Sequence, residues 1–181
     1  MDTSSGRWRA ATTALLAICA LAVSSPSAGA ADVSAATCSA TDLSARQTGS
    51  GAGMSQPYSL ITVTNTSEVA CTVKGYPSIT GAWTRTGRKP IRITRGNLGN
   101  MRDPGPRRIV LAPGGHAWFA VGTATAYDPP LVTFTRLSFA PAPGAIVADS
   151  VMARLRLQAT APSGKPFPIG VTAFAPGRGP Q

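Results

Sequence analysis

The chain has 181 residues, with 17 Lys and Arg against seven Asp and Glu, and a net charge of +10. This length allows one domain with a proper hydrophobic core. Charged residues make up only 13% of the chain, and 19 Gly and 16 Pro accompany abundant Thr and Val, a composition that favours short strands joined by turns and argues against a helical fold.

The first thirty residues are typical of a secretory signal peptide. Arginines precede an apolar run over residues 10–23, and the small residues at 28–30 form a cleavage site. A membrane anchor needs a longer apolar run of about 20 residues, and a lipid anchor on Cys19 is disfavoured because Ile18 precedes it. We expect cleavage after Ala30 and a mature chain that is secreted or associated with the cell envelope. It contains no further segment long enough to span a membrane.

Removal of this leader leaves two cysteines, Cys38 and Cys71. In an oxidising compartment such a pair usually forms a disulfide, which in the chain-entropy model stabilises the fold by roughly 3–4 kcal/mol. The alternatives are two free thiols or a metal site, but His116 is the only histidine and no other ligand cluster accompanies it. We expect one disulfide, no metal and no cofactor.

The first half of the mature chain is organised around one predicted hairpin. Residues 58–64 are rich in β-branched side chains, which suit a pleated, half-buried surface. Residues 65–68 are polar and turn-forming, and residues 71–73 are expected to return beside the first strand. Ahead of this hairpin, residues 43–48 are expected to form an edge strand and residues 49–53 a flexible loop.

A second hairpin is predicted next. Ser78–Thr84 alternates, with Trp83 on the face expected to lie in the core. Residues 85–88 form a turn, and residues 91–94 are expected to return beside the first strand. The stretch 95–107 contains Gly, Pro and Asn without an apolar period, so we expect a long exposed loop.

Alternating apolar and polar residues indicate half-buried strands through the second half of the chain. In the strand after the Gly-Gly turn, Ala117, Phe119 and Val121 are expected to face the core, whereas His116, Trp118 and Ala120 face outward. The predicted strands cover residues 109–111, 116–121, 131–139, 151–157 and 167–173.

These short strands, about eight or nine in all, fit an antiparallel β-sandwich. They are evenly spread and no long linker interrupts them, so we expect a single domain over residues 38–175. A flexible lead-in, 31–37, is expected before the domain and a flexible tail, 176–181, after it.

Several short motifs occur at a fairly specific spacing. They are Cys38 with Leu43 five residues on, the runs 63–67 (Val-Thr-Asn-Thr-Ser), 71–73 (Cys-Thr-Val) and 75–77 (Gly-Tyr-Pro), and the later runs 111–115 and 137–141. In these motifs, over roughly residues 38–173, the chain resembles the secreted actinobacterial proteins classed as domain of unknown function 4232. The resemblance implies an immunoglobulin-like sandwich, export and no assigned activity. Many members of that family carry further C-terminal cysteines, which this chain lacks, so its second half must rely on packing alone.

Catalysis has few candidate residues in this sequence. A Ser-His-Asp arrangement needs a histidine between nucleophile and carboxylate, and His116 is predicted to point outward beside a turn. The carboxylates stand isolated in polar turns, and nothing supports the carboxylate pair of a glycosidase, although a chance pair such as Asp103 and Asp128 stays open. No phosphate-cradling glycine motif opens a helix. We expect a protein that is not an enzyme, with no catalytic or cofactor-binding residues.

The unusual feature of the sequence is a basic stretch over residues 85–108, in which Asp103 is the only acidic residue. Clustered arginines attract anionic polymers and surfaces, and the guanidinium group pairs with phosphate and carboxylate in a two-pronged geometry. The alternative is that these residues reflect solubility and an arginine-rich composition. Nucleic acid is a poor candidate partner because it lies inside the cell, whereas the mature chain is expected outside the cytoplasm. The candidate anion-binding residues are Arg85, Arg88, Lys89, Arg92, Arg95, Arg102, Arg107 and Arg108.

Trp118 is a candidate stacking residue, because an outward indole is suited to a sugar ring; alternatively it covers the sheet beneath a loop. The leading hypothesis is a non-enzymatic binding module of the cell envelope or the extracellular space, whose partner is an anionic envelope polymer or an extracellular protein. The alternative is a secreted protease inhibitor whose loop 95–108 presents Met101-Arg102, or a neighbouring basic bond, to a trypsin-like or subtilisin-like enzyme.

Overall fold

The computed structural model describes residues 35–123, 130–142, 150–160 and 164–180. The predicted signal peptide and its cleavage site lie outside the described residues, as does Asp128. The described chain forms one turn of 3-10 helix, Ala40–Asp42, and twelve strands. No helix within it is long and apolar enough to cross a membrane. The strands are β1 (Leu43–Gly53), β2 (Gln56–Asn65), β3 (Cys71–Lys74), β4 (Ser78–Thr84), β5 (Gly87–Lys89), β6 (Ile91–Arg95), β7 (Arg108–Leu111), β8 (His116–Thr123), β9 (Leu131–Ala140), β10 (Val151–Thr160), β11 (Phe167–Val171) and β12 (Ala175–Pro176).

The described strands form three sheets. The large sheet has the order β1-β2-β8-β11-β6, with the short β12 also paired with β8, and the small sheet has the order β10-β9-β4-β5. β3 and β7 form a separate ribbon. β6 and β11 run parallel, whereas the other pairs are antiparallel. The prediction of an all-β fold is confirmed for the described residues.

The large and small sheets pack face to face around one hydrophobic core. Its centre is a group of aromatic rings in edge-to-face contact. Phe119 lies 4.8 Å from Phe139 and 5.3 Å from Phe174, and Phe134 lies 5.2 Å from Phe167. The side chains expected to face inward are buried in both β8 and β10, which confirms that part of the prediction. Ala120 of β8, expected to face outward, is also buried, because it packs in a second cluster with Leu60 and Leu98.

Cys38 and Cys71 form the expected disulfide, with Cα atoms 4.9 Å apart. The bond fastens the start of the domain to the β3–β7 ribbon. Beside it, the Cys38 N–H donates to the Thr72 carbonyl at 2.9 Å, and the Thr72 N–H donates to the Ala36 carbonyl at 2.8 Å. Residues 35–37, part of the predicted flexible lead-in, therefore run hydrogen-bonded along β3.

The hairpin predicted over residues 58–73 is wrong in its pairing. β2 lies between β1 and β8, whereas β3 pairs with β7. The buried Asn65 explains the difference. Its Nδ2 atom donates to the Val69 and Leu111 carbonyls at 2.8 and 3.0 Å, and its Oδ1 atom accepts the Ser67 N–H at 3.0 Å. These bonds turn the chain away from β2 and direct it into the ribbon.

The predicted flexible loop at residues 49–53 is instead the second half of β1. It pairs with β2 beyond a bulge at Thr48, and Met54 and Ser55 close the hairpin with positive φ angles of 51° and 63°. Gly51 stands opposite Tyr58, and a Cβ atom there would lie 2.5 Å from the tyrosine hydroxyl oxygen. The glycine leaves room for the larger side chain of β2 to lie across this strand.

The second predicted hairpin, over residues 78–94, is also wrong in its pairing. β5 pairs with β4, but β6 crosses to the large sheet and runs parallel to β11. Pro90, between β5 and β6, has no N–H to donate to a ladder, and its carbonyl accepts the Phe167 N–H at 2.9 Å. The predicted flexible tail is also paired, since β12 lies beside β8 and the Thr62 hydroxyl donates to the Arg178 carbonyl at 2.8 Å.

Candidate functional site

The basic residues of the stretch 85–108 do not form one surface. Arg92 lies on the large sheet between Ile91 and Ile93, which pack against the core, so Arg92 faces the outer side of that sheet. The hairpin residues Arg85, Arg88 and Lys89 lie at the edge of the small sheet, and Arg95, Arg102, Arg107 and Arg108 lie between the end of β6 and the start of β7.

Trp83 lies outside the core, contrary to the prediction. The pairing of β4 with β9 skips Thr80, so Ile79 stands opposite Phe139 while Ala82 occupies the next buried core position. This bulge reverses the alternation within the strand. The indole of Trp83 is consequently half-buried on the outer face of the small sheet.

Each of the four strands of the small sheet places one residue on this outer face, and the four residues are neighbours across the sheet. Trp83 of β4 pairs with Arg88 of β5 on one side and with Arg136 of β9 on the other, and Arg136 pairs with Arg154 of β10. We call Arg154, Arg136, Trp83 and Arg88 the tryptophan row. The guanidinium carbons of Arg88 and Arg136 lie 5.8 and 5.9 Å from the indole, within the range of cation–π attraction.

The indole of Trp83 is folded down onto its own strand. A Cβ atom on Gly81, two residues earlier, would lie 2.4 Å from the Cη2 atom of the indole, so the indole can lie in this position only while residue 81 has no side chain. Arg88 is fixed beside the ring, because its Nη2 atom donates to the Thr80 carbonyl at 2.7 Å. The ring and this neighbouring guanidinium group are therefore positioned before any ligand arrives.

The arginines of the tryptophan row are not balanced by any carboxylate of the described residues. Asp42 and Asp103 form local hydrogen bonds elsewhere, and Glu68 lies in the exposed turn before β3. Arg136 and Arg154 stand directly opposite each other, and like charges in this relation destabilise a sheet. An anion bound between them would remove that repulsion, so the arrangement favours a negatively charged ligand.

An open cleft of about 680 Å³ lies next to the tryptophan row, between the β4–β5 turn, the start of β9 and the middle of β10. We call it the hairpin cleft. Its lining residues Thr84, Lys89 and Thr135 directly follow or precede members of the row in sequence. Because successive residues of a strand point to opposite faces, the cleft lies close to the row but is lined by different side chains.

Trp118, the candidate stacking residue, is half-buried on the large sheet and packs against a small cluster of Leu60, Leu98 and Ala120. The C-terminal segment crosses the indole, because a Cβ atom on Gly179 would lie 3.2 Å from its Cγ atom. The chain's own segments thus occupy the surroundings of Trp118. Of the two tryptophans weighed from the sequence, Trp83 is the one flanked by arginines.

His116 lies half-buried at the start of β8, with its Nδ1 atom 2.9 Å from the Thr64 hydroxyl oxygen. Burial lowers the pKa of the imidazole, and the nearby Arg178 and Arg46 lower that pKa further. Among the described residues, no group of three or more His, Cys, Asp or Glu is placed to hold a metal ion. The surroundings of His116 therefore favour its neutral form.

The segment 95–107 is not a fully exposed loop, and two of its anchors lie on either side of Arg102. Leu98 is only 7% exposed, and it exchanges backbone hydrogen bonds with Met101 at 2.8 and 3.0 Å. The carboxylate of Asp103 accepts the Ala173 N–H at 2.8 Å and the hydroxyl proton of Tyr76. Arg102, between these two anchors, stays exposed.

Sequence reasoning missed Arg136 and Arg154 as candidate site residues. The alternation of β10 places Arg154 on its outer face, and that signal was available from the sequence. The sequence could not predict that Arg136 and Arg154 lie in one row with Trp83, because this depends on the registers of β10, β9 and β4, which contain bulges.

Comparison with known proteins places this site within a family that has no assigned activity. No curated protein and no solved structure matches the chain. A family model described as domain of unknown function (DUF4232) matches residues 38–174, most of the described sandwich, and the chain therefore belongs to that family.

Proposed function

We propose that this protein is a non-enzymatic binding module that is exported to the cell envelope or the extracellular space, and that it holds an anionic polymer across the tryptophan row. The observation that carries the proposal is Trp83, flanked on both sides by arginines that no described carboxylate neutralises. We also propose that the protein comes from an actinobacterium and has an immunoglobulin-like sandwich, as the family resemblance implies. The signal peptide predicted from the sequence is part of the same proposal.

The row suits a polymer that carries both rings and negative charges. Adjacent strands lie about 4.8 Å apart, so Arg88 and Arg136 stand roughly 10 Å apart on either side of Trp83. Guanidinium groups bind carboxylate or phosphate, while the half-buried indole between them adds apolar surface that a sugar ring can contact. Arg154 extends the positive charge by one further strand. These features favour an acidic glycan over a ring-free polyphosphate.

The test is binding of the purified protein to polygalacturonate across a salt series, measured by isothermal titration calorimetry. Each charge-assisted hydrogen bond to arginine contributes about 1.5–3 kcal/mol. The double substitution Arg136→Ser with Arg154→Ser should therefore weaken binding by at least about tenfold and reduce its salt dependence.

The matched control is Arg92→Ser with Arg102→Ser, which removes the same charge from other surfaces and should leave affinity nearly unchanged. Equal weakening in both double variants would show that net charge alone drives binding, and the row would then have no special role. Absence of binding at low salt to polygalacturonate and to a polyphosphate would end the proposal.

A second candidate function, a protease inhibitor, is favoured by the two anchors around Arg102. Inhibitor loops need rigid support, and Leu98 and Asp103 hold the segment on either side of the exposed arginine. Stoichiometric loss of trypsin activity that disappears with Arg102→Asp, but not with the control Arg107→Asp, would support it. Full protease activity in the presence of excess protein would reject it for the enzymes assayed.

A further inference from the structure

The hairpin cleft differs in chemistry from the tryptophan row beside it. Its described lining contains apolar side chains, cations and threonine hydroxyls, but no carboxylate and no aromatic ring. Among the described lining residues a sugar would find no stacking surface. The apolar side chains are Leu131, Val132 and Leu155, and the cations are Arg85, Lys89 and Arg156.

We propose that the hairpin cleft binds an amphiphilic anion, namely a single acyl chain that ends in a carboxylate or a phosphate. The volume of about 680 Å³ falls within the roughly 300–1,000 Å³ of small-molecule sites. Leu131 is 47% exposed at the cleft, and an acyl chain would remove its apolar surface from water. The cations at the same cleft provide the complementary charge for the head group.

Of these cations, Arg85 lies on a turn that is already ordered. The Thr84 Oγ1 atom accepts the Thr86 N–H at 3.2 Å and donates to the Gly87 carbonyl at 3.1 Å. These bonds fix the turn that carries Arg85. Lys89, in the short strand that follows, is half-buried, and partial burial strengthens the attraction between its ammonium group and an anion.

Binding in the cleft does not depend on binding along the row. The row presents its side chains on the outer face of the sheet, whereas Val132 and Leu155 of the cleft belong to the packed interior. Substitution of Trp83 and Arg136 should therefore abolish polymer binding and leave amphiphile binding intact. The two proposals can accordingly fail separately.

The experiment uses methyl NMR spectra of the purified protein with decanoate, with decanoyl lysophosphatidylglycerol and with decanol, each below its micelle concentration. We expect saturable shifts of the Leu131, Val132 and Leu155 methyl signals with one or both anions. Lys89→Met should weaken that binding about tenfold, while the control Arg92→Met leaves it unchanged. Arg85→Met, on the exposed turn, serves as a second variant if Lys89→Met does not fold.

The two anionic ligands separate the possible sources of the head group. Binding of decanoate alone points to a free fatty acid, and binding of the lysolipid alone points to a membrane lipid; either supports the proposal. Shifts that are equally strong with decanol would show that the cations are not used, and would overturn it. No saturable shift of these methyl groups with either anion would overturn it as well.

Discussion

Gly81→Ala should disturb the tryptophan row at its most closely packed point. The added Cβ atom would lie 2.4 Å from the Cη2 atom and 2.8 Å from the Cζ3 atom of Trp83, far inside van der Waals contact. Either the indole lifts off the strand or the strand moves. Inserting a methyl group into a packed position costs about 1–3 kcal/mol. We expect a loss of unfolding free energy in this range, measured by urea denaturation.

The structural cause can be isolated with a double-mutant cycle. If the loss arises from contact with the indole, Gly81→Ala should become nearly neutral in a Trp83→Ala background, because the obstructing ring is gone. The coupling energy between the two positions should then be about 1–3 kcal/mol, the same size as the single loss. Additive effects would show that the ring does not lie over Gly81, and would remove the structural basis for the row as described.

The same substitution links stability to the proposed function. A lifted indole loses its contacts with Arg88 and Arg136, so polygalacturonate binding should weaken while decanoate binding in the hairpin cleft persists. Ala82→Ser, at the neighbouring buried position, is the control for a general loss of stability. If that control weakens polymer binding equally, instability and not the ring position explains the effect.

Three further predictions concern parts of the fold away from the row. Replacing Cys38 and Cys71 by Ser opens a cross-link over a separation of 33 residues and should lower the unfolding free energy by roughly 3–4 kcal/mol in urea; an unchanged midpoint would contradict this. The hydrogen bond from Tyr76 to Asp103 raises the tyrosine pKa above 10.0, so the stability it contributes is complete below pH 10.0 and is lost as pH rises through the raised value. Asp103→Ala should lower that pKa in an ultraviolet titration, and no change would rule out the bond. Burial lowers the pKa of His116 below 6.5, so the unfolding free energy should fall as pH drops below 6.5. His116→Gln should reduce this fall. An identical pH profile in the variant would exclude the histidine as the source of the fall.

The positions of most strands could be predicted from local sequence, because the period of alternation is a local signal. β10 follows it throughout and β8 only in its first half, and the inward side chains of both strands were identified correctly. The glycine-rich half of β1 could not be recognised in this way. There the deciding contact is with Tyr58 on the neighbouring strand, and the glycine sequence alone resembles a loop.

The partners of the strands could not be predicted, because they depend on contacts far apart in the chain. Turn residues after β2 suggested a return beside it, but the side chain of Asn65 binds the Leu111 carbonyl, 46 residues away, and draws the chain into the ribbon. Pro90 similarly separates β5 from β6, which then joins the other sheet. The disulfide was accessible from the sequence because only one pair of cysteines remained to be joined.

The tryptophan row depends on two irregularities in one pair of strands. Skipping Thr80 turns Trp83 outward, and skipping Thr135 places Arg136, instead of the threonine, opposite the indole. Each bulge is tied by its own side chain: the Thr80 hydroxyl lies 2.7 Å from that of Ser138, and the Thr135 hydroxyl donates to the Trp83 carbonyl at 3.4 Å. A sheet without them would bury Trp83 with the core residues and separate it from Arg136. Since bulges often re-aim side chains beside functional sites, their position around Trp83 is a reason, independent of net charge, to look for ligand binding on this face.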